Sequence, residues 1–305
     1  MKARLLLLLS TAAVAICAGA AAAAGLPLET LPSSARWMLH LDAAALRDSP
    51  LGREILAAIP GTPAEAQLNS FAAMAGCDVR RDLAAISACG SGGADQGVVI
   101  YLRGSWDLRK IQAALAANSP VTTAAHGRHT ILHCTDAAAP EGFTRQSYCL
   151  ASSNLVLLAN REATLRQALD ALDGNAPALS SVPCFRRMAA MDTNTILRVM
   201  ATNLQEMLAG NPQAAALPAA DSFQLALNME GAAVRLKAVV QTRTPEAARQ
   251  LQQMLLGFQI VMRLQGGKKP EIAKIAQAAR VDVSGQAVTV ILHAPPDVVR
   301  KLLFR

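Results

Sequence analysis

The feature that most restricts the fold is a pattern of strands and helices that the chain runs through twice. The first pass has an extended run at 35–42, a helical segment and a hairpin within 83–102. The second pass has an extended run at 195–200, a helical segment and a hairpin within 223–241. Consecutive strands joined by hairpins favour antiparallel sheets with helices on one side. The sequence therefore predicts an α+β fold with an internal duplication: two similar halves, each a mainly antiparallel sheet with helices packed on one face.

The two passes also end alike, and the repeat is clearest there. Strand-like runs within 148–158 lead into a helix capped by Asn160, and runs within 279–292 lead into a closing helix. Arg166 of the first closing helix then aligns with Arg300 of the second. Both helices have apolar residues at helical spacing, which is typical of an element that covers a sheet.

The domain boundary is predicted at 175–183, where Gly, Asn, Pro and Ser gather. We therefore expect a first α+β repeat at 26–183 and a second at 184–305. Residues 1–25 are set apart from both because their composition differs from everything downstream.

The first 25 residues have the pattern of an export signal. Two cations precede an apolar run, Leu5–Ile16, and small residues follow at Ala20–Ala24. We expect cleavage after Ala24 or nearby and a periplasmic or extracellular protein. The alternatives are an uncleaved segment that tethers the chain to a membrane and a lipid attached at Cys17. The apolar run is too short to favour a spanning helix, which needs about 20 residues.

Composition narrows the classes of partner. Aromatic residues make up only 3% of the chain, so stacking platforms for carbohydrate or single-stranded nucleic acid are scarce, and no nucleic acid is expected. Residues 186–305 contain 15 basic and 8 acidic side chains, with the densest cluster at Lys268, Lys269 and Lys274. The partner is unknown. Another envelope protein and an anionic membrane surface are the two candidates. The scattered charge also fits a positively charged, solvent-exposed surface that binds no partner.

Cysteine count gives a prediction that depends on export. An oxidising compartment permits disulfides, and five cysteines remain once Cys17 is removed, so one has no partner within the chain. Cys134 and Cys149 lie in two strand-like runs joined by a turn, which makes them the first candidate pair. Cys77 with Cys89 is the second.

A metal site is not predicted, although three histidines and a cysteine lie close together in sequence. His126, His129, His133 and Cys134 fall in a stretch whose alternation favours a strand. Four residues along a strand span about 13 Å, so His129 and His133 cannot share one ion. We expect surface or hairpin histidines there, and no cofactor.

Catalytic residues are not evident either. The run Gly90–Gly93 leads from strand to strand instead of into a helix, which predicts a hairpin loop and not a phosphate loop or nucleophile elbow. No catalytic residue is assigned, and the pattern leans against an enzyme. The alternative is a hydrolase with a site at the junction of the halves, in which Asp42, His40 or His126 would meet a Ser or Cys.

The longest predicted helix, Pro245–Leu264, has a wide apolar stripe. Its members recur at helical spacing, with Met254 and Val261 beside them: Ala248, Leu251, Leu255, Phe258 and Met262. A helix that covers a sheet needs such a stripe, so core packing is expected for it. A Met-rich face that adapts to a partner is the alternative.

Three short segments carry a resemblance to known proteins: Leu31–Ala35, Trp37–Asp42 and Ser49–Gly52. With the export signal and the duplication, they resemble a loose group of bacterial secreted proteins known only as domains of unknown function. That resemblance implies no activity, substrate or catalytic residue. We expect an exported, non-enzymatic envelope interaction or scaffold module. The alternatives are the hydrolase above and a peripheral membrane binder that uses the basic second half.

Overall fold

The computed structural model describes most of the chain, in seven segments: 26–92, 96–118, 120–135, 144–190, 195–207, 220–264 and 270–303. The export signal predicted at 1–25 lies outside them, as does part of the Gly90–Gly93 loop. The chain divides into two compact units, one up to Ala189 and one from Ala190. That division lies beyond the predicted boundary at 183 and 184 because a helix that starts at Pro183 belongs to the first unit.

The first unit contains one antiparallel sheet. Its strands are β1 (Trp37–Asp42), β2 (Leu83–Gly90), β3 (Val98–Gly104), β4 (Val121–His126), β5 (His129–Thr135), β6 (Arg145–Ser152) and β7 (Leu155–Ala159). Their order within the unit is β1-β2-β3-β7-β6-β5-β4, and each neighbouring pair is antiparallel. The helices are α1 (Ala43–Asp48), α2 (Pro50–Ala57), α3 (Pro63–Ala75), α4 (Val79–Asp82), α5 (Leu108–Asn118), α6 (Glu162–Leu172) and α7 (Pro183–Ala190).

The second unit is also built on antiparallel strands: β8 (Leu197–Thr202), β9 (Ala220–Glu230), β10 (Ala233–Thr242), β11 (Ala279–Ser284) and β12 (Ala287–Ala294). Their order is β8-β9-β10-β12-β11. The helices are α8 (Leu204–Met207), α9 (Pro245–Leu264), α10 (Pro270–Ala278) and α11 (Pro296–Leu303). Each unit is thus an α+β arrangement with antiparallel strands, as the hairpin pattern predicted.

Local chemistry explains where the first helices begin. The Asp42 carboxylate accepts a hydrogen bond from the Ala45 amide and so caps α1. Ser49 does the same for the Gly52 amide at the start of α2, with Pro50 in the first turn. A Cβ at Gly52 would lie 1.9 Å from the Leu46 carbonyl oxygen. Only glycine therefore allows α1 and α2 to join this closely.

Each unit has its own apolar core. In the first unit, α6 buries Leu165 and Leu169 completely, and Leu157 of β7 is also fully buried. In the second, Ala248 and Leu251 of α9 pack with Val288 of β12. These helices cover strands through small and branched residues, which fits a chain that is rich in alanine and poor in aromatics.

The strand register corrects the first disulfide prediction. Cys134 of β5 lies opposite Gln146, and Cys149 of β6 lies opposite Ile131. The two cysteines are therefore about 10 Å out of register along the strands, well beyond disulfide reach. Cys77 and Cys89, the second suggested pair, are both buried free thiols in the structure.

Candidate interaction surface

The predicted histidine group lies on one face of the β4–β5 hairpin, against α6. His126 is directly opposite His129, and His133 is on the same face because it is four residues from His129 along β5. Each histidine has its own carboxylate, either on α6 or at Asp173 directly after its last turn. His126 Nε2 lies 2.7 Å from Asp170 Oδ1, and His129 Nε2 lies 3.0 Å from Asp173 Oδ2. His133 Nε2 lies 3.4 Å from Glu162 Oε2.

Two of these carboxyl groups, those of Glu162 and Asp173, have a pKa below the usual value. The Arg166 guanidinium donates a hydrogen bond to Glu162 and lowers the pKa of that carboxyl below its usual value. Burial alone would raise the pKa of Asp173, but hydrogen bonds from His129 and Arg128 outweigh it, and the net shift is downward. The group is thus a set of three histidine–carboxylate contacts that fasten α6 to the hairpin.

In the seven segments that the structure describes, no three His, Cys, Asp or Glu side chains converge as a set of metal ligands. The nearest approach to one is this histidine group. Its imidazoles are each engaged with a different carboxylate, so their nitrogens are directed to separate partners.

The residues suggested for a hydrolase, His40, Asp42 and His126, are not brought together in one site. His40 Nδ1 lies 2.9 Å from Ser87 Oγ, but both side chains are buried within the β1–β2 pair. The Asp42 carboxylate caps α1, and His126 is engaged with Asp170. Neither His40 nor His126 therefore lies beside a solvent-accessible nucleophile.

A second serine–histidine pair was missed by sequence reasoning. His133 Nδ1 lies 3.0 Å from Ser147 Oγ, and its Nε2 faces Glu162. Ser147 is 2% exposed, so its hydroxyl is closed to substrate. The Cys89 and Cys149 thiols offer no substitute, since burial raises the pKa of Cys89 to about 12 and that of Cys149 to about 11. Protonated thiols are poor nucleophiles.

The unusual surface of the molecule is the second half of α9. Six large apolar side chains are exposed there, and we call them the α9 patch: Met254, Leu256, Phe258, Ile260, Val261 and Leu264. Phe258 is 60% exposed and Leu264 is 80% exposed. These six are the exposed large hydrophobic side chains among the residues whose burial the structure describes. Their clustering on half of one helix makes the patch informative, since isolated exposed apolar residues are common.

The opposite face of α9 is fixed to the second unit. Leu251 is buried in the core with Val288, and Leu255 packs against that cluster. Gln259 is buried and donates hydrogen bonds from Nε2 to the carbonyls of Ala276 and Ala279, the second at 2.8 Å. The helix is thus anchored by one face, which leaves the α9 patch on the other.

The prediction that the whole apolar stripe of α9 packs in the core is therefore wrong for Phe258. Ala248 and Leu251 are buried as predicted, whereas Phe258, Met254 and Val261 are exposed. The physical reason lies in the pattern of the helix. Its first half alternates apolar residues with Glu246, Arg249, Gln250 and Gln253, but from Met254 onward apolar residues surround nearly the whole helix. One sheet can cover only one face of it.

Basic residues follow the α9 patch closely. Between residues 254 and 280 the sequence has five basic side chains and one acidic side chain. Arg263, on the patch half of α9, is exposed and donates a hydrogen bond to the Ala276 carbonyl. Lys274 and Arg280 follow on α10 and β11, and Lys268 and Lys269 lie outside the described residues. The apolar patch and a local excess of positive charge are thus neighbours in sequence.

The fold defines an α+β protein built on antiparallel strands and helices. Solved structures that share the fold include three crystal forms of the protein TP0453. Crystal form III gives a TM-score of 0.54 at 11% identity, covering 92% of this chain and 98% of that one. Form IV gives 0.52 at 11%, with coverage of 92% and 98%, and form I gives 0.50 at 10%, with coverage of 92% and 99%.

Sequence comparison adds nothing to this likeness. No protein-family model matches the chain, and no curated protein matches it. At about one identical residue in ten, the resemblance to TP0453 is one of fold alone. Among the described residues, no helix is both long enough and apolar enough to cross a membrane.

Proposed function

We propose that this chain is a non-enzymatic protein of the bacterial envelope that docks on an anionic lipid surface through the α9 patch. The observation that carries the proposal is the exposure of six large apolar side chains on one half of one helix. An exposed cluster of this kind marks a site of contact with a membrane or a protein. The neighbouring charge favours the membrane.

The exposed apolar face of α9 suits a position in the membrane interface. A helix that lies in a membrane interface buries an apolar face to a depth of about 5–10 Å and keeps cations at the headgroup level. Phe258, Ile260 and Leu264 are the most exposed members of the patch, and Gln259 between them holds the helix to α10 and β11. The patch can therefore enter the interface while the second unit stays folded in water.

Basic side chains close to the patch suit an anionic lipid surface. Lys and Arg close to an anionic membrane surface each contribute about 1 kcal/mol at moderate ionic strength. Arg263 supplies positive charge within the patch half of α9, and Lys274 and Arg280 supply it after the patch. Lys268 and Lys269 add to the positive charge of this part of the sequence. A purely protein-binding apolar patch has no such requirement for positive charge, so we favour a lipid surface over another envelope protein.

The location in the envelope is part of the proposal. It is supported by the signal-like segment 1–25. We also propose that the two units are internal repeats whose helices cover one face of each sheet. The order β1-β2-β3-β7-β6 in the first unit matches β8-β9-β10-β12-β11 in the second, and the β4–β5 hairpin is extra.

Vesicle flotation tests the proposal. The purified protein is mixed with vesicles of phosphatidylcholine and phosphatidylglycerol, and with vesicles of phosphatidylcholine alone. We expect binding to the anionic vesicles that weakens as salt is raised, because screening reduces the electrostatic part. Phe258→Asp should lower the partition coefficient at least about tenfold, since a side chain of this size contributes about 1.5 kcal/mol when its exposed part is buried.

The matched control is Gln112→Asp. Gln112 is exposed on α5 of the first unit, so this variant adds the same charge on a helix outside α9. It should retain most of the binding. Equal loss in both variants, or binding that is indifferent to Phe258, would count against the patch. No binding of the unchanged protein to any vesicle would instead favour an envelope protein as the partner.

A further inference from the structure

Strand β4 forms an edge of the first unit's sheet. It pairs with β5 on one side, and in the described residues no strand lies on its other side. The strand is regular over all six residues from Val121 to His126, with no bulge in its register with β5. A regular, unprotected edge is a ready template for another strand.

The turn that joins β4 to β5 identifies the backbone groups at this edge. His126 and His129 are opposite each other and are joined by the two-residue loop Gly127–Arg128, with Gly127 at a φ of 56°. In such a hairpin the residues that flank the loop form a hydrogen-bonded pair, and the pairs then alternate. Val121, Thr123 and Ala125 therefore direct their N–H and C=O groups away from β5.

A side-chain contact supports this assignment. Arg166 of α6 reaches the edge and donates from Nη1 to the Ala125 carbonyl at 3.2 Å. That carbonyl must be available on the outer side of β4 for α6 to reach it. A carbonyl oxygen can accept two hydrogen bonds, so Arg166 does not close the edge to another strand.

Side chains at this edge do little to prevent pairing. Natural edge strands are protected by charged residues, by proline or by bulges. The edge strand of the second unit, β11, exposes Arg280 and Asp282. In contrast, β4 exposes Thr122, Thr123 and Ala125 and contains no Lys, Arg, Asp or Glu.

We infer that the β4 edge pairs with the β4 edge of a second copy of this chain, antiparallel and about a twofold axis at Thr123. In this arrangement Thr123 faces Thr123 of the second copy, and Val121 faces Ala125. The outward groups of the two strands then form about six hydrogen bonds, and no like charges meet along the strands. Opposed threonines are a favourable cross-strand pair. A charged or proline-containing peptide fits this neutral, symmetrical edge less well.

A charge-swap experiment tests the pairing. Sedimentation equilibrium of the purified protein should show the mass rising from monomer towards dimer as concentration increases. Thr123→Lys and Thr123→Glu should each remain monomeric, because like charges would face each other across the axis. An equimolar mixture of the two variants should recover the dimer. Thr130→Lys is the matched control, since Thr130 is an exposed threonine on β5 of the same hairpin.

Hydrogen exchange gives a second readout that does not depend on the variants. The Thr123 amide should exchange more slowly as protein concentration rises, whereas an exposed loop amide should not change. The inference is overturned if the mass of the unchanged protein is independent of concentration, if Thr130→Lys is monomeric too, or if the mixed variants stay apart. Dimers that persist in all Thr123 variants would place the interface elsewhere.

Discussion

Replacing the three most exposed members of the α9 patch with serine is the sharpest perturbation of the proposed surface. Phe258, Ile260 and Leu264 are 60%, 58% and 80% exposed, so together they present about two full side chains to solvent. At about 2 kcal/mol for each fully buried side chain of this size, their transfer into an interface contributes about 4 kcal/mol. The triple variant should therefore bind anionic vesicles about a thousandfold more weakly.

The assay is flotation with phosphatidylglycerol-containing vesicles over a range of lipid concentrations, so that a partition coefficient is obtained for each protein. Folding is monitored in parallel by urea denaturation. Because the buried parts of the three side chains add up to about one full side chain, the free energy of unfolding should fall by about 2 kcal/mol or less in total. Undiminished partitioning of a triple variant that remains folded would refute the role of the patch. A small, uniform loss that tracks reduced stability would do so as well.

Three further predictions concern the parts of the fold that support these surfaces. Leu251→Ala on the inward face of α9 should lower the free energy of unfolding by about 2–4 kcal/mol in urea denaturation, because Leu251 is buried beside Val288; a loss below about 1 kcal/mol would show that this face is not core. Asp173 has a lowered pKa in the folded state, so its stabilising effect is complete above the unfolded value near pH 4 and is lost as the pH falls through the lower folded pKa. Asp173→Asn should therefore flatten the acid limb of unfolding free energy against pH, and an unchanged slope would argue against the pairing with His129. The Cys89 thiol, whose pKa burial raises to about 12, should resist iodoacetamide at pH 8 in the native protein and react once it is unfolded, as peptide mapping would show.

Much of the fold could be predicted from local patterns. Ser49 followed by Pro50 and Gly52 fixes a helix start whose cap the structure shows directly. Hairpins were predictable because apolar runs are separated by short turns, as at Gly231 between β9 and β10. These features depend on neighbouring residues, so a sequence read in order reveals them.

Features that depend on register or on distant contacts could not be predicted in this way. The Cys134–Cys149 pairing failed because both strands were expected but their offset was not. The histidine spacing excluded a shared metal ion, yet the carboxylates on and directly after α6 that pair with the histidines come from more than 25 residues later in the chain. Only the folded sheet shows that α6 lies over this hairpin.

The exposure of Phe258 had a signal in the sequence that periodicity alone does not capture. From Met254 to Leu264 the helix is apolar on nearly every side, while the first half has a polar face. A single sheet cannot bury all of that surface, so part of it must face solvent, lipid or a partner. Counting the apolar residues around the helix, in addition to those along its stripe, would have identified the patch.

Placement of a fluorescent reporter within the α9 patch tests the central proposal most directly. Phe258→Trp keeps the side chain aromatic, and Gln112→Trp places the same reporter on α5, outside the patch. With anionic vesicles that contain brominated lipid acyl chains, the emission of Trp at position 258 should shift to the blue and be quenched, whereas that of Trp at position 112 should change little. Equal responses at both positions, or no quenching at position 258 under conditions in which the protein floats with vesicles, would contradict docking through the α9 patch.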